Sequence, residues 1–294
     1  MVPVIDFSPS DEPALAQQVD EALTHTGFLA VRGVGLDEPL VRSAFAAAIA
    51  FFALDETEKQ RWAYTDPSAN FGYQPALSEA LDPSQPADLK EAFTMRNLLT
   101  LVDDSAMWPS SEFRDVAVRC YQAFSDAAMR MLEVFAVALG QPADFFTARH
   151  SGENMTMRYL HYPSLGYEVG DAQMGAGAHT DYGAITLLLQ DDAGGLQLQH
   201  DGRWLDVPPV AGTVNVNTGD LMAHWSNDRY PSTLHRVVPK IGARDRYSIA
   251  FFVDPDSDVL VRCLPGCVSE DRPPRYADVT AGEHIQRKIL ASQS

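Results

Sequence analysis

The residues whose types and spacing could do chemistry lie in the second half of the chain. His179 and Asp181 stand two apart in GAHTDYGAITLLLQ, His235 follows in TLHRVV, and Arg246 and Ser248 stand two apart in RYSIAFF. In an extended strand residues i and i+2 share a face, so His179 and Asp181 can point at one metal ion and Arg246 and Ser248 at one carboxylate. Two imidazoles and a carboxylate, with no thiolate, occupy one face of a six-coordinate ion and leave positions open, a set suited to ferrous iron and dioxygen. A His-x-Asp pair alone arises often by chance. Arg246 alone is better explained by a structural salt bridge to one of the many acids.

These groups must be brought together by the elements around them. PVIDF reads as a first strand, ALAQQVDEALTHTG as a helix closed by Gly27, and GFLAVRGVG as a second strand. From the N-cap Asp37, Val41, Phe45, Ala48, Ile49 and Phe52 recur at helical spacing, and Asp55 with Glu58 resembles a capping box. The stretch from Asn70 to Ser110 is loop-like, interrupted by DLKEAFTM, and an apolar stripe from Glu112 to Leu139 marks a packing helix ended by Gly140.

After Met155 come short strand-like runs, among them TMRYLHYP, AITLLLQD, GLQLQH, RWLDV, TVNVNTGD, LMAHW, TLHRVV, RYSIAFFV and DVLVRCL, with Asp201-Gly202 as a hairpin turn. Such a series favours a closed roll over an open sheet with long unpaired edges. The expected class is mainly β with flanking α. It is one domain over 1–294, with an α-rich layer at 1–150, a roll at 151–280 and a C-terminal helix at 281–294.

Composition narrows the function. The chain has 294 residues, 46% of them hydrophobic, and 22 basic against 40 acidic side chains give a formal charge of -18, which repels nucleic-acid phosphates and anionic lipid. No nucleic-acid or membrane partner is expected. Three cysteines, Cys120, Cys263 and Cys267, read as free thiols of a reducing compartment. With no basic-then-apolar N-terminus and no long apolar run, a cytoplasmic monomer is expected.

In order and spacing, PVIDF, GFLAVRGVG, DLKEAFTM, LHYP, HTDYGAITLLLQD, GLQL, NTGD, STLHRVV and RYSIAFFVDP resemble the isopenicillin N synthase-like branch of the Fe(II)- and 2-oxoglutarate-dependent dioxygenases. The resemblance covers nearly the whole chain. It implies a double-stranded β-helix, or jelly roll, with iron at His179, Asp181 and His235. It also implies Arg246 and Ser248 on the distal carboxylate of 2-oxoglutarate, with Tyr162 as a further cosubstrate contact. Plant members often carry Asn where this chain has Leu160. The implied reaction consumes dioxygen and 2-oxoglutarate, releases succinate and carbon dioxide, and hydroxylates, desaturates or cyclises a small molecule.

For the substrate, alternation puts Arg158 on the face of Tyr162, where it either anchors an acidic group or pairs with a nearby acid; Tyr182 and Arg96 are further candidates for the pocket wall. His161 and His224 read as satisfied strand histidines, and His25, His150, His200 and His284 lack ligand partners at suitable spacing. Asn217 and Asp220 read as turn residues around a Gly219 at positive φ, and Trp204 and Trp225 as packing. Two other readings stand beside the oxygenase: an oxidase of the same family that grips its substrate's own carboxylate, and a non-catalytic roll that binds a metal or ligand.

Overall fold

A period of two, repeated along strand after strand, gives the larger sheet an apolar outside and an inside that mixes apolar and polar side chains. The computed structural model describes residues 2–8, 12–82, 84–100, 105–165, 170, 172–239 and 244–292. The first half contains β1 (Val4–Asp6), α1 (Glu12–Thr26), β2 (Phe28–Arg32), α2 (Glu38–Phe52), α3 (Glu56–Lys59), β3 (Gly72–Gln74), β4 (Glu91–Arg96), α4 (Ser111–Ala138) and α5 (Asp144–Thr147). The second contains β5 (Met155–Tyr162), β6 (Ala176–His179), β7 (Ile185–Gln190), β8 (Leu196–His200), β9 (Arg203–Asp206), β10 (Val214–Thr218), α6 (Asp220–Trp225) and β11 (His235–Val237). It ends with β12 (Arg246–Val253), β13 (Leu260–Val261), β14 (Val279–Thr280) and α7 (Ala281–Ser292). Positions 293 and 294 of the expected C-terminal helix lie outside the described residues.

An eight-stranded sheet, ordered β1-β2-β10-β7-β12-β5-β4-β3, and a four-stranded sheet, ordered β6-β11-β8-β9, form the jelly roll. The strands of the first half therefore extend the large sheet at both ends. On β12, Ile249, Phe251 and Val253 join the cluster that packs α1, α2 and α4, as do Met155, Met157 and Tyr159 on β5 and Leu187 and Leu189 on β7. The alternate residues Leu160, Tyr162 and Ala250, flanked by Leu188 and Phe252, join a second cluster with Leu196, Leu198, Ala176 and Val237 of the smaller sheet. The interior between the sheets is thus partly apolar and partly open to the charged groups described below.

Helix α4 anchors the outside. The Ser110 hydroxyl accepts from Phe113 N at 3.0 Å, Phe124 stacks on Phe251 with ring centroids 5.2 Å apart, and the Tyr121 hydroxyl donates to Met155 O at 2.7 Å. Truncating either phenylalanine to alanine costs about 3–5 kcal/mol. The Asp201-Gly202 turn has φ 49° and 73°, the left-handed pair that a tight hairpin requires.

Three local expectations are corrected. LMAHW is helical: α6 is six residues long, too short for its periodicity to be told from a buried strand. Asp55 makes no side-chain cap to α3, so the capping box is absent. DVLVRCL contributes only the two-residue β13.

His150 supplies a test of the fold. It is 1% exposed, Nδ1 donates to Phe146 O at 2.7 Å, and Nε2 has no partner among the described residues. Burial lowers its pKa from 6.5 to about 4. Below pH 6.5 the unfolded chain takes up a proton that the folded chain refuses, so this contribution to stability is complete above 6.5 and is lost as pH falls towards 4. At about 1.4 kcal/mol per pH unit, the loss reaches roughly 3 kcal/mol. Urea melts at pH 7 and pH 4.5 should show this decline, and His150→Gln should flatten it; an equal decline in the variant would contradict the assignment.

Candidate active site

The two histidines are placed by strand pairing. Antiparallel β6 and β11 put His179 and His235 directly opposite one another, with ring centroids 4.3 Å apart. His179 Nδ1 hydrogen-bonds Gly177 O at 2.7 Å and His235 Nδ1 hydrogen-bonds Thr233 O at 3.0 Å. Because a carbonyl only accepts, each Nδ1 carries the hydrogen and each Nε2 keeps its lone pair. Those Nε2 atoms face Asp181 Oδ1 at 3.9 and 3.8 Å. Asp181 lies just beyond the end of β6, so loop geometry as well as alternation sets its direction.

Electrostatics favour the metal-binding protonation state. Burial, reinforced by the neighbouring His235 imidazole, pushes the His179 pKa well below the ordinary histidine value. Burial opposes ionisation of Asp181, but the two imidazoles and hydrogen bonds from Asn217 and Thr186 outweigh it and hold the carboxyl below the usual range. Asn217 Nδ2 donates to Asp181 Oδ2 at 2.7 Å, leaving Oδ1 directed at the imidazoles. One ligand atom from each of the three residues lies within 4.8 Å of the others, and the donor set fits a divalent transition metal.

Asn217 corrects the sequence reading. It sits in β10, not in a turn, and Gly219 has φ -99°, not a positive value. Gly219 is needed for close approach: a Cβ there would lie 2.4 Å from Gly183 O and 2.9 Å from Asp181 O. The alternation VNVN was the available signal, since two amides on one face of an otherwise apolar strand call for a polar partner.

At the start of β12, Arg246 is 1% exposed. Its Nε donates to Gly194 O at 2.8 Å, Nη1 to Ser248 Oγ at 3.2 Å and Nη2 to Gln190 Oε1 at 3.4 Å, with the guanidinium 4.6 Å from the centre of the Tyr162 ring. All of these partners are neutral. Among the described residues no carboxylate pairs with Arg246, so the structural salt bridge weighed for it is not found there. Leu89, Tyr162, Pro163, Gly175, Val238 and Pro239 line a small pocket against it. Gln190 and Gly194 were not singled out from sequence, because neither residue type signals a role by itself.

The remaining candidates are placed as follows. Arg158 Nη2 donates to Gln74 Oε1 at 3.0 Å and pairs with Glu79 at 2.9 Å, while its buried Nε has no partner among the described residues. Glu79 also meets Lys90 at 3.2 Å; burial opposes its ionisation, but Arg158 and Lys90 prevail and lower its pKa to about 2. Arg96 is tied to Glu153 O and to the Asn154 side chain. Tyr182 follows Asp181 and lies under Lys288 of α7, 5.2 Å from ring centre to ammonium. His161 is doubly hydrogen-bonded and His224 rests on Tyr276, with centroids 4.8 Å apart. Neither adjoins another group of metal ligands among the described residues.

Comparison with known proteins follows the same line. The family model described as the 2OG-Fe(II) oxygenase superfamily matches residues 152–255, and that described as the non-haem dioxygenase in morphine synthesis N-terminal matches residues 2–113. The chain is 36% identical to the 2-oxoglutarate-Fe(II) type oxidoreductase hxnY of Emericella nidulans, over 97% of this chain and 88% of that one. It is 32% identical to a homoarginine-6-hydroxylase of Glycine max, over 99% and 97%. A full-length Neurospora crassa protein crystallised with alpha-KG superposes with a TM-score of 0.87 at 30% identity, covering 98% of this chain and 96% of that one.

The hydrogen bond to Asp181 generates a test. Outer partners of metal ligands typically contribute 10–100-fold in affinity. Asn217→Ala should therefore weaken Mn(II) binding by about that factor in a titration followed by electron paramagnetic resonance. Unchanged affinity would mean that Asp181 needs no such support.

Proposed function

The chain belongs to the 2OG-Fe(II) oxygenase superfamily, and from that premise we propose that His179, Asp181 and His235 hold its iron while Arg246, Ser248 and Tyr162 hold its 2-oxoglutarate. The protein is a 2-oxoglutarate-dependent non-haem iron dioxygenase that oxidises a small molecule. The observation that carries the residue assignment is Arg246: a guanidinium 1% exposed and, among the described residues, bonded to neutral groups alone. Burying a charge without a counter-charge costs several kcal/mol, which a bound carboxylate offsets.

Bound iron supplies the redox chemistry that couples loss of carbon dioxide from 2-oxoglutarate to substrate oxidation. The chain's own residues do the rest. Asn217 keeps one oxygen of Asp181 occupied so that the other faces the metal. Arg246 and Ser248 fix the far end of the keto acid, and the Tyr162 ring flanks the guanidinium. Leu160, Leu188, Ala250 and Phe252 exclude water from the reacting centre. The alpha-KG bound in the Neurospora crassa relative supports this over the rival oxidase of the same family, and the enzymes among the relatives support it over the non-catalytic roll.

Substrate recognition we place at Arg158, with Tyr182 and Arg96 further out on the wall. The charge of Arg158 is already balanced by Glu79, so we read the substrate's near end as a hydrogen-bonding, uncharged group. The thymine complex of the Neurospora crassa relative supports a ligand of that kind. We further place the enzyme in the cytoplasm as a monomer; its free cysteines and a site built from one chain support this. Among the described residues no helix is long and apolar enough to cross a membrane.

Two variants test the assignment. Asp181→Ala should abolish both Fe(II) binding and succinate release, and full succinate output from it would refute the ligand set. Arg246→Ala should raise the Kd for 2-oxoglutarate about 100-fold or more, since each charge-assisted bond lost is worth roughly 1.5–3 kcal/mol. Its Fe(II) affinity should stay unchanged. A normal 2-oxoglutarate Kd in that variant would move the cosubstrate elsewhere.

A further inference from the structure

We propose that His161 is a positioning residue for the cosubstrate grip, its imidazole locking together the strand positions that present Tyr162 and Arg246. This rests on the reading that those two residues hold 2-oxoglutarate. The register of β5 and β12 pairs Arg246 with Tyr162 and, one step on, Tyr247 with His161. Alternation sends the first pair into the roll and the second to its outer side. There the His161 ring is stacked on Tyr247, centroids 4.7 Å apart, with Phe52 of α2 at 5.4 Å.

Both ring nitrogens are engaged. Nδ1 lies 2.6 Å from Glu91 Oε1 on β4, and Nε2 lies 3.0 Å from Asp245 Oδ2, the residue before Arg246. Each end is anchored further. Glu91 receives Lys59 Nζ at 2.6 Å and the Tyr73 hydroxyl, and Asp245 Oδ1 accepts from Ser164 N at 2.7 Å. The chain therefore runs from α3 through β4 and β5 to the residue that precedes the guanidinium.

The protonation logic follows from donor counting. Burial opposes ionisation of both carboxyls, yet hydrogen bonds from His161, Lys59 and Tyr73 lower the pKa of Glu91, and those from Ser164 and His161 lower that of Asp245. Ionised carboxylates only accept, so the imidazole bonds to both only when each nitrogen carries hydrogen. Loss of one proton breaks one of the two bonds. The groups facing the ring are Glu91, Asp245, Tyr247 and Phe52. Behind them stand Lys59 and Glu56 of α3, Tyr73 of β3, and Asp191, whose Oδ2 accepts from Tyr247 N.

The test is 2-oxoglutarate binding to the Mn(II)-loaded protein by calorimetry. His161→Gln should bind about 10-fold more weakly than the unsubstituted protein, with Asp245→Asn shifting the same way. Both should keep Mn(II) affinity, and succinate turnover at saturating 2-oxoglutarate, within about two-fold. Asp245→Asn, at the more exposed end of the link, decides the matter if His161→Gln does not fold. A wild-type Kd in either folded variant would overturn the proposal. So would loss of Mn(II) affinity and thermal stability in step with the Kd, which would mark a general structural role. Failure of the unsubstituted protein to bind 2-oxoglutarate would instead sink the reading of the site.

Discussion

A charge enclosed by a β-roll must meet an opposite charge or a ligand, and that constraint organises the interior of this protein. Asp181 is ionised there because two imidazoles, Asn217 and Thr186 surround it. Arg158 is tolerated because Glu79 answers it. Among the described residues Arg246 has Gly194 O, Ser248, Gln190 and the face of Tyr162, a shell that solvates without neutralising. The imbalance is local, and it faces a cavity.

Such an interior is possible only because the outside of the same sheet carries the stability. Alternate residues of β5, β7 and β12 give the helices a continuous apolar surface, in which Phe251 receives Phe124 and Tyr121. The helical layer and the site thus share strands and differ by a single residue of register. A slip of one position would exchange them completely, so the packing of α4 also specifies which side chains face His179, Asp181 and His235.

The network behind the site extends the same principle. Lys59, Tyr73, Glu91, His161 and Asp245 form a polar thread across the otherwise apolar outer side, close to the entrance of β12. Partly satisfied polar groups there would be costly, whereas a fully connected chain makes the relative placement of strands specific.

The fold class and much of the candidate site were legible because they depend on local spacing. His179 with Asp181, and Arg246 with Ser248, announce shared direction through a two-residue step, and short strands after Met155 announce a roll. Where local pattern was ambiguous the reading failed: the six residues of α6 are too few for a helical period, and NTGD looked like a turn although Asn217 completes β10. Partners distant in sequence were invisible. That Glu79 would claim Arg158, that β1 to β4 would extend the large sheet, and that Asp245 would reach back to His161 were decided only by tertiary structure. Direction is a property of neighbouring residues, whereas counter-charge and register are settled between segments that meet only when the sheet closes.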